Sequence, residues 1–449
     1  MNRPLMINSF DPAQAHDLDP VIEQLLKRRA KVLGPSYKLF YEKPVHFVRA
    51  EGVWMYDSHD TPYLDVYNNV PSVGHCHPHV VEAVSKQMAL LNTHTRYLYD
   101  TVLTYAEKLI ATFPEELANV MFTCTGSESS DLAVRIARCH TGNTGIIVTE
   151  NAYHGITAAI AEMSPSLGEG VALGSMVRLV PAPDAYRAGD KDVGDAFAES
   201  VEAAIADMLR HGIRPAALVT DTIFSSDGVF SDPRGFLVKA VEAVRRAGGL
   251  FIADEVQPGF ARTGDEFWGF QRHGVVPDLV IMGKPMGNGL PIGGVVAKPE
   301  LLTRFATTAR YFNTFGGNPV STAAAMAVLE VIEAESLQKN SLVVGELLRA
   351  GLRDLAKEYP VIGDVRGAGL FIGAEFVKDP LTKEPHEELA MQVVNKLRDH
   401  NVLISASSPL GNVLKIRPPL PFTADNAAYF LDILADVMAE LGKTTGVRG

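Results

Sequence analysis

Between residues 78 and 320, helical spacing alternates with short apolar runs, and this alternation limits the available folds more than any other feature. Helical spacing recurs over 79–91, 101–112, 129–140, 197–210 and 237–247. Between these stretches lie apolar runs at 145–149, 217–220, 250–253, 279–282 and 294–297. A strand that is apolar on both faces must be covered on both faces. The pattern therefore predicts a mostly parallel sheet packed between helices.

The flanks read differently. Residues 20–33 have helical spacing with a charged face, and 45–66 read as short strands with turns at Glu51-Gly52 and Ser58–Asp60. Beyond 320, helices are expected over 322–337, 340–357, 386–399 and 424–441. Strand-like GLFIGAEFV, VLISAS and NVLKIR lie among them. The expectation is an α/β protein with one large domain and a smaller α+β domain assembled from both ends. Its limits are 1–77 for the N-terminal part of the small domain, 78–320 for the large domain and 321–449 for the C-terminal part.

Composition narrows the function classes. At about 150 residues per domain the length alone suggests about three domains, but no repeat or low-complexity linker separates them. With 47% hydrophobic and 21% charged residues the chain is globular rather than disordered. A net charge of −12 and no Lys/Arg-rich run argue against nucleic acid as a partner. Cys76, Cys124 and Cys139 are too few and too scattered for a disulfide framework. The first residues lack a basic stretch followed by an apolar core, and no run approaches ~20 apolar residues. A cytoplasmic enzyme with no membrane contact is expected.

The chemistry concentrates between 250 and 291. The run LFIAD ends on Asp254-Glu255, and DLVIMGK ends on Lys284 before a Gly-rich stretch. Ligands of parallel sheets bind beyond the C-terminal ends of strands, so Asp254 and Lys284 project into one crevice. Such a pair reads either as a buried ion pair or solvated loop charges, or as the two contacts of pyridoxal phosphate (PLP). In the second case Lys forms the Schiff base and Asp pairs with the pyridine nitrogen. FTCTGSE (122–128) leads into a helix and reads either as a phosphate cradle or as an ordinary N-terminal cap. Tyr153, after the run GIIVTE, reads either as core or as an aromatic stacked on a planar ring.

Taken together, DEVQPGFARTG (254–264), PDLVIMGKPMGNGLPIGG and NTFGGNP (313–319) resemble the class III aminotransferases. These are PLP enzymes of the aspartate-aminotransferase fold (fold type I). YLD at 63–65, GHCHP at 74–78, GSE at 126–128, YHG at 153–155 and GDVRGAGLFIG at 363–373 follow in the same order. The resemblance implies Lys284 as Schiff-base lysine and Asp254 on the pyridine nitrogen. It places Val256 on the ring face away from Tyr153, Gln257 at the ring hydroxyl, and Gly126 and Ser127 at the phosphate. Thr314 is implied to reach the phosphate in the other subunit. That implies a homodimer with shared sites, with a tetramer left open.

Two family features are replaced. Where amino-acid aminotransferases of the family carry a gating Glu, this chain has Ser226, with Asp227 beside it as an alternative carboxylate. Where they carry a carboxylate-gripping Arg, it has Lys415, with Arg417 on the same strand face. Arg presents a planar fork, whereas Lys is a point charge that also suits phosphate. These departures, with TRYLYD and LKIRPPLPF, are similar to the phospho-lyase branch of the family, which acts on ethanolamine phosphate and 5-phosphohydroxylysine. The resemblance implies elimination of phosphate from an amino-phosphate, giving aldehyde and ammonia. The alternative is an ω-aminotransferase using pyruvate, glyoxylate or 2-oxoglutarate. Arg96, Lys415 and Arg417, with His75 or His77, are the candidate phosphate contacts.

Other residues have plainer readings. His75-Cys76-His77 reads as pocket loop rather than metal site. Cys124 and Cys139 read as small core residues, and Trp54 and Trp268 as packing. Arg366 either grips a carboxylate or braces backbone.

Overall fold

The computed structural model describes residues 6–13 and 15–445. The outermost parts of the expected domain limits, at 1–5 and 446–449, lie outside the described residues. A seven-stranded sheet forms the centre. Its strands run in the order Asn119–Thr123, Gly293–Ala297, Leu279–Met282, Leu250–Asp254, Pro215–Asp221, Gly145–Thr149, Val177–Val180. All contacts from Leu279–Met282 through to Val177–Val180 are parallel. Gly293–Ala297 runs antiparallel to both of its neighbours. The predicted mostly parallel sheet is thus present with one reversed strand.

Two strands had no counterpart in the apolar runs. Asn119–Thr123 and Val177–Val180 close the two edges, and each has residues exposed to solvent. An edge strand needs no continuous apolar run, so Asn119 and Arg178 broke the pattern. The central strands are buried along nearly their whole length, as the runs required.

Two smaller sheets flank this centre. Phe47–Glu51, Trp54–Asp57 and Pro62–Asp65 form an antiparallel meander. Val402–Leu403 joins it in parallel beside Pro62–Asp65. Ile362–Ala368, Phe371–Phe376, Val413–Ile416 and Ser405–Ser407 form the second, antiparallel sheet. VLISAS therefore divides at Ile404 between two sheets. Tyr41 fixes that crossing: its hydroxyl donates to Ile404 O (2.9 Å) and accepts from Ile404 N (3.0 Å).

Packing behind the sheets agrees with the composition. Trp268 is fully buried, stacks on Phe113 at 4.2 Å and donates its N–H to Thr112 Oγ1 at 3.1 Å. Trp54 is half-buried and meets Tyr429 edge-on. The cysteine expectation holds in part: Cys139, on the helix Gly126–Thr141, packs against the core, but Cys124 and Cys139 are only half-buried, and their sulfurs face Asn313 and Thr308. Both stand beside polar loop or helix-end residues, which the sequence neighbourhood did not reveal.

The helix Leu337–Glu358 presses Gly345 directly onto the backbone of Gly369, in the turn before Phe371. A Cβ at Gly345 would collide with the Gly369 carbonyl and lie 2.7 Å from its Cα. Backbone cannot yield as a flexible side chain can. Gly345→Ala should therefore cost at least ~2 kcal/mol, seen as a lower urea midpoint at unchanged slope. An unchanged midpoint would show that helix and turn separate freely.

Candidate active site

The site is built where the central strands end. Leu250–Asp254 delivers Asp254, and Leu279–Met282 is followed by Gly283 and Lys284. Asp254 is buried; its Oδ2 lies 2.7 Å from His154 Nδ1, and Oδ1 accepts from Val256 N at 3.1 Å. Its neighbour Glu255 faces the other way. Glu255 accepts from Thr222 Oγ1, Gly269 N and Phe270 N, and burial pushes its pKa up to about 8. The adjacent acids thus divide between the site and the fold.

Among the described residues no ion pair within 4.0 Å joins Asp254 to Lys284, so the ion-pair reading does not hold. Lys284 Nζ lies 5.9 Å from the centre of the Tyr153 ring. Burial, and then the Arg417 charge, push the Lys284 pKa down to about 8 against the opposing pull of Asp254 and Asp221. A lysine so placed is an amine nucleophile and base near neutral pH.

The cap reading of FTCTGSE holds, and it leaves room for the cradle reading. The helix starts at Gly126, three residues before the predicted start. Thr125 Oγ1 accepts from Glu128 N at 3.2 Å, and Glu128 Oε2 accepts from Cys124 N at 2.8 Å. Among the described residues no acceptor takes the N–H of Gly126 or Ser127. Three glycines allow the backbone to close here. A Cβ at Gly126 would lie 3.1 Å from Val256, one at Gly283 would lie 3.1 Å from Gly126 Cα, and one at Gly155 would lie 2.6 Å from Ser127 Oγ. Behind the turn that follows Lys284 lies the segment 72–75. Ser72 Oγ donates to Pro285 O, and Asn288 Nδ2 donates to Gly74 O, both at 2.8 Å.

These residues fit PLP. A helix start with free N–H groups suits a phosphate. The anchored Asp254 carboxylate suits a protonated ring nitrogen, and the enclosed Lys284 amine suits an aldehyde. Tyr153 and Val256 border the same space. His154, which orients Asp254, is the contact that sequence reasoning missed, although YHG was in view.

The replaced switch forms a second cluster. Lys415 and Arg417 are only 7% and 6% exposed. Among the described residues neither has a carboxylate within 4.0 Å. Arg417 is held by neutral amides: Nη1 donates to Asn69 Oδ1 at 2.9 Å and to Gln257 Oε1. Its guanidinium lies 4.4 Å from the Tyr67 ring centre, and its Nε is buried without an acceptor. Lys415 Nζ lies 5.7 Å from the Phe371 ring centre. Burial, then the Arg417 charge, holds its pKa well below the usual lysine range. Gln257 thus links the Arg417 cluster to the segment that carries Asp254.

Several candidates are placed elsewhere. Arg96 is exposed, with its guanidinium 3.8 Å from the Phe312 ring centre, and makes no described contact with Lys415 or Arg417. Thr314 follows Asn313, which binds Glu128 Oε2 at 2.8 Å beside the cradle. Asp227 does not take the gating position. It is buried and accepts from Thr149 Oγ1 at 2.8 Å and Asn151 N at 3.1 Å. His75 meets Asp65 at 2.8 Å, and His77 caps the helix Pro78–Leu90 and meets Glu335 at 3.0 Å. Arg366 braces backbone, donating to the carbonyls of Gly228 and Val229, and pairs with Asp364 and Glu375.

The family model for aminotransferase class-III matches residues 40–438. The chain is 42% identical to an alanine–glyoxylate aminotransferase 2-like protein of Drosophila melanogaster, over 93% of this chain and 88% of that one. It is 37% identical to ethanolamine-phosphate phospho-lyase homolog 1 of Caenorhabditis elegans, over 94% of both. Among solved structures it resembles a phospholyase from Arthrobacter in complex with phosphoethanolamine. That likeness has a TM-score of 0.90 and 42% identity, over 92% of this chain and 99% of the other.

Asp227 gives a pH prediction. Burial raises its pKa from 3.8 to about 7, so between those values the folded chain holds a proton that the unfolded chain has lost. Its contribution to stability is complete below the unfolded value and is lost as pH rises through about 7. An amide can keep both hydrogen bonds. Asp227→Asn should melt a few degrees above the wild type near pH ~8 and converge with it near pH ~4. A melting difference that stays constant across that range would show that Asp227 ionises without penalty.

Proposed function

The chain belongs to the class III aminotransferase family, and from that premise we propose that it eliminates phosphate from an amino-phosphate such as O-phosphoethanolamine. The products are an aldehyde, ammonia and inorganic phosphate, with one water consumed. The observation that carries this reading is the buried pair Lys415 and Arg417, left without carboxylate partners. Burial disfavours the charged form of Lys415 and leaves Arg417 without a counter-charge; a bound dianion favours the ammonium and compensates both groups.

In this reading the residues divide the labour. PLP, when bound, supplies an electron sink for charge developing beside the substrate amine. Asp254, held by His154, keeps the ring nitrogen protonated. Gly126 and Ser127 hold the cofactor phosphate, Gln257 the ring hydroxyl, and Tyr153 and Val256 the two ring faces. Lys284 Nζ removes a proton from the carbon that bears nitrogen. Lys415 and Arg417 hold the phosphate on the neighbouring carbon and stabilise the charge it gains on leaving.

A second reading, transfer of the amino group to pyruvate, glyoxylate or 2-oxoglutarate, is favoured by the likeness to the Drosophila alanine–glyoxylate aminotransferase 2-like protein. An amine alone would then be consumed for one turnover, with further turnover needing a keto acid.

The working unit in this proposal is a homodimer. Tyr97, Leu98 (92% exposed), Phe312 and Phe315 are exposed on two neighbouring segments joined at Phe312, which Arg96 covers and His94 meets edge-on. Such a patch favours a protein partner. A second copy there brings Thr314, and Arg96 with it, towards the other subunit's cofactor.

The test is release of phosphate and aldehyde from O-phosphoethanolamine with no keto acid present. Sustained release is expected, and Lys284→Ala should reduce it by at least ~10³-fold. No release above that control across several amino-phosphates would reject elimination. Lys415→Ala should raise KM for the phosphorylated substrate roughly 10- to 100-fold, and much less for a simple amine. Equal effects on both would remove Lys415 from the phosphate site.

A further inference from the structure

Beside the sheet that carries Lys415 lies a second buried donor without an acceptor, in addition to Arg417 Nε. In the antiparallel ladder, Lys415 is directly opposite Ser405. Residues so paired place their side chains on one face, with Cβ atoms about 5 Å apart. That face looks towards the strand-end loops: Ser407, two residues on, donates to Ser225 O at 2.8 Å.

Ser405 Oγ is also 2.9 Å from Asn8 Oδ1. Asn8 belongs to the N-terminal segment, far from Lys415 in sequence, and is 7% exposed. Its backbone is clamped, since its carbonyl accepts from Tyr41 N at 2.8 Å, and Tyr41 in turn grips Ile404. Its φ of +50° lies in the left-handed region, where Asn is better tolerated than most residues. The side chain is therefore held in one place by both backbone and hydroxyl. Yet Asn8 Nδ2 is buried with no hydrogen-bond partner among the described residues. A buried N–H left unpaired is rare and calls for an acceptor.

We propose that Asn8 binds the anionic end of the substrate, adding its side-chain N–H to the Lys415 ammonium and the Arg417 Nε–H. The inference rests on the amino-phosphate reading and deepens it by naming the residue that the N-terminal segment contributes. A phosphate has three terminal oxygens, enough for these three donors. A carboxylate's two oxygens lie in one plane, whereas phosphate oxygens spread in three directions, so donors arriving from separate segments suit phosphate better. The competing role for Asn8 is purely structural, as the anchor of the N-terminal segment on Ser405.

Two variants respect the backbone. Asn8→Gly removes the side chain without strain at positive φ. Asn8→Asp keeps the bond to Ser405 and places a carboxylate beside Lys415, in competition with the ligand. Binding of inorganic phosphate to the PLP-loaded enzyme should weaken about fivefold or more in Asn8→Gly and more than ~tenfold in Asn8→Asp. KM for O-phosphoethanolamine should rise in parallel, with cofactor absorbance and melting temperature nearly unchanged. Phosphate affinity within twofold of wild type in both variants would overturn the assignment, as would a loss that merely follows the melting temperature. Absence of phosphate binding by the wild type would overturn it as well. Because phosphate binding is read apart from turnover, its dependence on Asn8 would uphold the assignment even if no amino-phosphate were cleaved. That outcome would reject the elimination reading alone.

Discussion

Charge removed from water must find compensation, and the crevice beyond the central strands is organised by this demand. It holds the basic groups Lys284, Lys415 and Arg417 and the acids Asp221, Asp227 and Asp254, and burial disfavours the charged form of both lysines. The acids are occupied: Asp254 by His154, Asp227 by Thr149 and Asn151, Asp221 by the Ile223 and Ser225 backbone. The basic groups are held by neutral groups or by nothing. Arg262, behind them, is also bonded to carbonyls, those of Leu370 and Pro418. Among the described residues the Arg417 guanidinium thus has no carboxylate within 4.0 Å, on a protein whose net charge is −12. A surface that is acidic overall and a buried guanidinium without a counter-charge are compatible because buried charges are screened far less by solvent and salt.

Rigid framing makes this arrangement tolerable. The strands ending on Asp254 and Met282 are buried along their length, and their glycine-lined ends approach within van der Waals contact. Asn69 and Gln257 grip Arg417 from two different elements, and Phe371 and Tyr67 flank it. A guanidinium held by amides is positioned without being neutralised, so its charge stays available to a ligand. A carboxylate in the same role would have given a tighter but inert pair.

The candidate site was legible because two local signals coincide there. An apolar run predicts a strand, and the residue that ends it must emerge at the sheet's edge, which placed Asp254 and Lys284 correctly. What escaped was non-local. His154 is 100 residues from Asp254, and nothing beside it in sequence marks it as a partner. The orientation of Asp227 depends on Thr149, 78 residues away. Asn8 acquires meaning only from Ser405, 397 residues away. The strands Asn119–Thr123 and Val177–Val180 were missed for a different reason: edges tolerate polar residues, so the apolar signal fades where the sheet ends. Arg96 is a separate case: within one chain its guanidinium lies over the Phe312 ring, apart from Lys415 and Arg417.

The crossing at Ile404 has a consequence for how the protein is made. Tyr41 bonds to a residue 363 positions later, and the meander at 47–65 gains its parallel neighbour only from Val402–Leu403. During synthesis the first sheet must wait, incomplete, until nearly the whole chain has left the ribosome. Long-range closures of this kind are slow. The central sheet can form earlier from its own strands. The helix start at Gly126 and the strand ends at Asp254 and Met282 can thus be in place on the nascent chain before the strand Val413–Ile416 reaches them.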